Sequence, residues 1–249
     1  MATDGELSYF DAIGDDGRRH ALAKPFSDPD RGALLRQVGA IFELLPPPPA
    51  AVLDCGCGTG WLASFLQRSG YAATGVDVAP AAIALAGDNP QFVGTDPPRF
   101  MVAEVEHLGF DGEFDAVLFF DSLHHSVDEI AALAGALRAL KPGGVCITSE
   151  PGAGHAAVSA HEVLTYGVTE RDMPAGHIVE VGLRVGFASA RVLPRADALG
   201  TQLYRPRPEG QPRWKAALRR NLLARAALTV RTTEWAKRDN GIVVLTAPR

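Results

Sequence analysis

The sequence predicts an α/β fold, a doubly wound, mostly parallel sheet with helices on both faces. Three observations carry this reading. An apolar run from Ala50 to Leu53 ends in Asp54, and glycines follow at alternate positions, Gly56, Gly58 and Gly60. Trp61, Leu62, Phe65 and Leu66 then recur with helical spacing, so the order is strand, glycine loop, helix. From there to Ser149, strand-like and helix-like segments alternate, as in a parallel sheet. The chain has 249 residues, 47% of them hydrophobic. That suits one α/β domain with an elaboration better than two domains.

Residues 1–30 are polar, broken by Gly14, Gly17, Pro25 and Pro29 and punctuated by Tyr9, Phe10 and Phe26. Their aromatic content argues for an ordered leader. Leu34, Leu35, Val38, Ile41, Phe42 and Leu45 mark an amphipathic helix over 31–45, which Pro46 to Pro49 end. Residues 1–49 are thus a leader with its helix, and 50–249 form the domain, elaborated around 151–175 and 195–238. The second strand is expected from Ala73 to Val78, followed by a helix over 80–86 that opens on Pro80. The third strand is expected at 99–105. The fourth, Phe114 to Phe120, reads as buried on both faces. Ile130, Leu133, Leu137 and Leu140 mark the next helix. Lys141-Pro142-Gly143-Gly144 stops it before a fifth strand, Val145 to Ser149. Residues 151–174 are less regular. Ile178, Val179, Leu183 and Val185 suggest another helix, with strands after it at 189–193 and 241–247. Between those strands, 195–211 reads as a loop and 212–230 as a basic helix.

Composition excludes some classes of function. No run of eighteen apolar residues exists, so no membrane span is expected. The opening Met-Ala-Thr-Asp-Gly-Glu lacks the pattern of a secretion signal. Cys55, Cys57 and Cys146 form no C-x-x-C pair, which points to a reducing cytoplasm. Net charge is −5, yet residues 205–238 hold ten Lys or Arg against Glu209 and Glu234. That stretch reads either as a solvated helix face or as a site for an anionic or carrier-linked acceptor. Nucleic acid is disfavoured, because the rest of the chain is acidic and repels phosphate. Nothing in the sequence sets the oligomeric state.

The spacing Asp54-x-Gly56-x-Gly58-x-Gly60 differs from the G-x-G-x-x-G of dinucleotide enzymes. It resembles the first motif of the class I, Rossmann-like S-adenosylmethionine-dependent methyltransferases. The resemblance runs from Val52 to Ser149 and implies a seven-stranded sheet. It includes Phe114-Asp115 at the start of the fourth strand, Leu123-His124-His125 after it, and Leu140-Lys141-Pro142-Gly143-Gly144 before the fifth. By this resemblance Asp54, Gly56, Gly58 and Gly60 carry the methionine part of S-adenosylmethionine. Asp77, with Val78 beside it, lies 21 residues past Gly56 and accepts hydrogen bonds from the ribose hydroxyls. Glu104 aligns with an acid that reaches the adenine amino group, and Val105 with a residue lending backbone contacts. Asp121 joins this cofactor set.

Asn or Asp followed by Pro-Pro-aromatic, the signature of base-amine and amide methylation, is absent after the fourth strand, where Asp121-Ser122-Leu123-His124 stands instead. Asp96-Pro97-Pro98-Arg99 reads as a turn. The segments Ser149 to His155 and Gly167 to Asp172 are similar to stretches in bacterial methyltransferases of polysaccharide and natural-product clusters. The reading is therefore methyl transfer to a small molecule, with a hydroxyl of a sugar or natural-product intermediate favoured over carbon or an amine. The alternative is a cofactor-binding regulator or partner protein that transfers nothing.

Ligands of an open parallel sheet sit beyond the carboxyl ends of its strands. That places His124, His125, Glu150 and His155 at the acceptor as candidates for removing its proton. Adjacent side chains diverge, so at most one of His124 and His125 is expected to face the sulfonium, the other packing or capping the following helix. No His-x-x-x-His or tight ligand cluster is visible, and no metal is expected. The leader is expected to cover the cofactor as a lid, and Trp61 to belong to the core.

Overall fold

The computed structural model describes residues 3–91, 96–195 and 239–249, together with Ala227 and Val230. Strand β1 (Ala51–Cys55) is apolar at every position but Asp54 and almost wholly buried. A strand without a polar face must be covered on both sides. It pairs in parallel with β2 (Ala72–Asp77) and, across the other edge, with β4 (Phe114–Phe120). Strand β3 (Arg99–Val102) lies beyond β2, and β5 (Leu140–Ser149) beyond β4, both parallel. The last strand in sequence, β7 (Ile242–Thr246), runs antiparallel between β5 and β6 (Ser189–Leu193). The seven strands stand in the order β3-β2-β1-β4-β5-β7-β6.

The helices are α1 (Asp4–Ala12), α2 (Gly14–Leu22), α3 (Arg31–Leu44), α4 (Trp61–Arg68), α5 (Pro80–Gly87), α6 (Glu129–Ala139), α7 (His155–Val158), α8 (Ala160–Tyr166) and α9 (Ala175–Val185). Successive residues of β4 feed opposite layers. Val117 and Phe119 join Leu133 of α6 and Ile178 of α9 on one face. Ala116 and Leu118 join Ile41 of α3 and Leu66 of α4 on the other. Trp61 is in this second core, as expected.

Three local readings change. The third strand ends at Val102 rather than 105, because Val105–His107 turn into a 3-10 helix. The Lys141–Gly144 turn is absorbed into β5, whose pairing with β4 shifts register between Phe114 and Ala116. Two short helices, α7 and α8, form within the irregular 151–174 segment. The loop and basic helix expected at 195–211 and 212–230 lie outside the described residues, apart from Arg195, Ala227 and Val230. Among the described residues no helix is long and apolar enough to cross a membrane.

Candidate active site

The chain order reverses between β1 and β4, the place where open α/β sheets form a crevice. A cavity of about 280 Å³ opens there, bounded by the ends of β1, β2 and β4 and roofed by α1 and the segment after α8.

One end of the cavity is built from backbone. Gly56 and Cys57 donate to the Val76 carbonyl at 2.8 and 2.9 Å, stitching the glycine loop to β2. Gly56 has φ +70, and a Cβ there would lie 2.5 Å from Ser122 Cβ. Gly58 has φ +52, and its nearest neighbour for a Cβ is Phe10 Cζ at 3.7 Å. Gly58 also lines the cavity, so its missing side chain leaves room for a ligand against the main chain. The Gly58 N–H donates to Asp77 Oδ2 and the Ala79 N–H to Asp77 Oδ1, both at 2.9 Å. Burial raises the Asp77 pKa against these two N–H donors. Asp121, also on the wall, holds a left-handed φ of 56, uncommon for a residue with a side chain.

Asp54 is 2% exposed and lies beneath this loop instead of on the cavity wall. Its Oδ2 has no hydrogen-bond partner. Burial, and then the charge of Asp77, push its pKa up to about 7.

The other end is built from side chains. Glu150, 1% exposed, accepts from the Ser122 and Leu123 N–H groups at 3.2 and 3.0 Å and from His124 Nδ1 at 2.7 Å. It thereby holds the turn that carries both histidines. The other nitrogen of His124, Nε2, lies 3.4 Å from Glu170 Oε2. Burial pushes the His124 pKa down, but Glu150 and Glu170 outweigh it and carry the group up to about 10. Its two ring nitrogens thus each face a carboxylate oxygen. His125 stacks against it, ring centroids 4.0 Å apart. His125 Nδ1 lies 2.6 Å from the Thr169 carbonyl, which can only accept, so the proton is on Nδ1 and Nε2 is the remaining nitrogen. Burial lowers the His125 pKa and Glu6 raises it, with a net rise. His155 Nε2 meets Glu170 Oε2 at 2.6 Å. Burial acts to raise the Glu170 pKa, yet the surrounding histidines hold it below its ordinary value.

The roof joins distant parts of the chain. Glu6 of α1 accepts from the Thr169 N–H at 2.6 Å, Thr3 donates to the Gly167 carbonyl, and Tyr9 meets Tyr166 edge to face. Asp172 accepts from the Gly154 and Ala156 N–H groups. It thus clasps the Ser149–His155 and Gly167–Asp172 segments together.

Of the residues expected at the cofactor, Gly56, Gly58, Asp77, Val78, Val105 and Asp121 line the cavity. Asp54, Gly60 and Glu104 do not. Gly60 packs on Phe100, and the Glu104 carboxylate turns to His107 at 2.7 Å. Of the residues expected at the acceptor, His125 alone is on the wall. His124 and Glu150 are buried behind it and engaged with each other, and His155 is turned onto Glu170. Sequence reasoning missed Glu170, Glu6, Glu106 and Glu162, all on the wall. Glu170 lies in the Gly167–Asp172 segment, but nothing in its spacing ties it to His124.

Residues 53–148 match a family of methyltransferase domains. With its strand order and glycine loop, this part of the chain is a class I methyltransferase domain. A ubiquinone biosynthesis O-methyltransferase of Xanthomonas axonopodis pv. citri (strain 306) is 35% identical over 138 residues, 55% of this chain and 53% of that protein. The chain spans about half the length of such relatives. Among solved structures, phosphoethanolamine N-methyltransferase 2 of Haemonchus contortus, in complex with S-adenosyl-L-methionine, superposes with a TM-score of 0.65 at 19% identity, covering 100% of this chain and 61% of that one. The [4+2]-cyclase SpnF superposes with a TM-score of 0.62 at 20% identity, covering 99% and 98%. At such identities these structures speak for the fold.

Proposed function

We propose that the chain binds S-adenosylmethionine in this cavity and transfers its methyl group to a hydroxyl of a small molecule, a sugar or natural-product intermediate. One observation carries the reading. A single cavity has a side-chain-free glycine loop and an acid at its strand ends on one side, and a histidine–glutamate cluster on the other. The cofactor, when bound, supplies a methyl group on a sulfonium, a good leaving group. Gly56 and Gly58 let its methionine part lie against the backbone. Each Asp77 oxygen accepts one N–H and keeps a lone pair for a ribose hydroxyl. Val78 and Val105 flank the adenine side, and Asp121 stands between the two ends.

The chain's main task is alignment, which can be worth on the order of 7–11 kcal/mol. Activation of the hydroxyl falls to the cluster, whose cavity-facing members are His125 and Glu170. Glu6, Glu162 and Glu170 at this end favour a neutral, hydroxylated acceptor over an anion. The name of the Xanthomonas relative, an O-methyltransferase, supports oxygen. The leader acts as a lid, with α1 and α2 excluding water. The three cysteines are buried and free, in keeping with a cytoplasmic protein.

Calorimetry tests the cofactor: S-adenosylhomocysteine should bind and NAD should not. Mass spectrometry with a panel of hydroxylated acceptors tests the transfer. Binding without methylation of any acceptor would mark the chain as a cofactor-binding partner. For the lid, cofactor should protect residues 10–30 from limited proteolysis, and equal cleavage rates in both states would remove it.

A further inference from the structure

The histidine–glutamate cluster has more order than a set of ion pairs requires. His124 gives Nδ1 to a carboxylate, Glu150, at 2.7 Å. His125 gives Nδ1 to a backbone carbonyl, Thr169, at 2.6 Å. Metal-binding histidines are held in this way, the far nitrogen tied to a carboxylate or carbonyl and the near one free to ligate. One ligand atom from each of His124, His125 and Glu170 lies within 4.8 Å of the others, the group of this kind found among the described residues. His124 Nε2 and Glu170 Oε2 are 3.4 Å apart. Bonds of about 2.0–2.1 Å to one tetrahedral ion separate two ligands by roughly 3.4 Å. The spacing is long for a hydrogen bond to a buried charge and right for two atoms sharing an ion.

We propose that His124, His125 and Glu170 bind one first-row divalent transition-metal ion at the acceptor end of the cavity. Two imidazoles and one carboxylate select such an ion over Mg²⁺ or Ca²⁺, which favour oxygen ligands. His124 is fully enclosed, whereas His125 and Glu170 line the cavity. The ion would therefore have protein on one side and an open position facing the acceptor, the arrangement of a catalytic rather than a structural site. Glu150, behind His124, is a positioning residue. Glu6 and His155 are the further polar groups around the cluster.

The inference rests on reading the cavity as a methyl-transfer site and says how the hydroxyl is activated. An ion holding the acceptor oxygen favours loss of its proton to solvent. The oxygen then forms the C–O bond as the methyl–sulfur bond breaks, leaving a neutral thioether.

The test is direct. The 249-residue chain, stripped with chelator and dialysed, is titrated with Zn²⁺ by calorimetry and with Co²⁺ by visible absorption. One ion per chain is expected, with the spectrum of a nitrogen–oxygen site. His125→Ala and Glu170→Gln should each weaken Zn²⁺ binding at least tenfold while circular dichroism and S-adenosylhomocysteine affinity stay unchanged. His161→Ala, at an exposed histidine outside the cluster, should leave it unchanged. Failure of the folded wild-type protein to bind one equivalent would overturn the proposal, as would Zn²⁺ affinity unaltered in both cluster variants. Full methyl transfer by metal-free protein would overturn the catalytic role. These outcomes are separable from failure of the methyltransferase reading, which shows as lost S-adenosylhomocysteine binding or absent transfer in metal-loaded protein.

Discussion

The two ends of the cavity are made by different means. The glycine-loop end uses main-chain atoms close in sequence to their neighbours, Gly56 to Gly58 and Asp77 to Ala79, drawn together by adjacent parallel strands. The histidine–glutamate end uses side chains from the turn after β4, the end of β5, the loop after α8 and the leader helix. A surface made of backbone suits a ligand that stays the same. One made of side chains on loops can be altered residue by residue to suit another acceptor without touching the sheet.

The difference can be broken most severely at Gly58. Gly58→Val puts a branched side chain where the cavity needs none and where φ is +52, so S-adenosylhomocysteine binding should vanish in calorimetry while the fold persists. Normal binding by this variant would show that the loop serves the fold alone.

At the opposite end the largest effect belongs to His125. His125→Gln should lower kcat by roughly 10²–10⁴-fold with little change in cofactor affinity. His155→Gln, off the wall, should be milder. If both variants retain wild-type kcat, alignment alone drives transfer.

Asp77→Ala comes next. Loss of a charged acceptor for the ribose should weaken S-adenosylhomocysteine binding roughly ten- to a hundredfold, and an unchanged calorimetric affinity would reject the ribose assignment.

A last test bears on stability and not on catalysis: the folded pKa of Asp54, about 7, stands above its ordinary 3.8. A raised folded pKa means the native state holds a proton that the unfolded chain releases. Its contribution to stability is therefore whole below about pH 4 and declines as pH rises to about 7. Denaturant unfolding of the cofactor-free protein should show this decline, and Asp54→Asn should flatten it. An unchanged slope would mean that Asp54 keeps its charge when folded.

The same division explains what could be read from the sequence. β4 stands where its apolar run put it, from Phe114 to Phe120, because a stretch hydrophobic at every position but Asp115 has little choice but a buried strand. Gly56, Gly58 and Asp77 were legible for a similar reason, since their relation is fixed by one strand–loop–helix unit. His124 and His125 could not be told apart as the residue on the cavity wall, because sequence gives a residue's neighbours along the chain and not the carboxylates that enclose one of them. Glu170 meets His124 only after α6, β5, α7 and α8 have brought the chain back, and no local pattern encodes that return. Asp54 has the motif's position but not the wall's, because its strand buries it.

The close crossing of Gly5 and Gly167 bears on how the molecule is made. A Cβ on Gly5 would lie 2.2 Å from the Gly167 carbonyl carbon, and Glu6 reaches Thr169 across 163 residues of sequence. α1 is made well before the segment after α8 and cannot settle until that segment follows it. The strands from β1 to β5 are all synthesised in that interval, so the glycine-loop end forms first and the acceptor end is assembled onto it. Contacts that close so long a loop form late and open readily. In hydrogen exchange, α1 should lose protection well before β1 and β4, so that the histidine–glutamate end loosens while the glycine-loop end stays ordered.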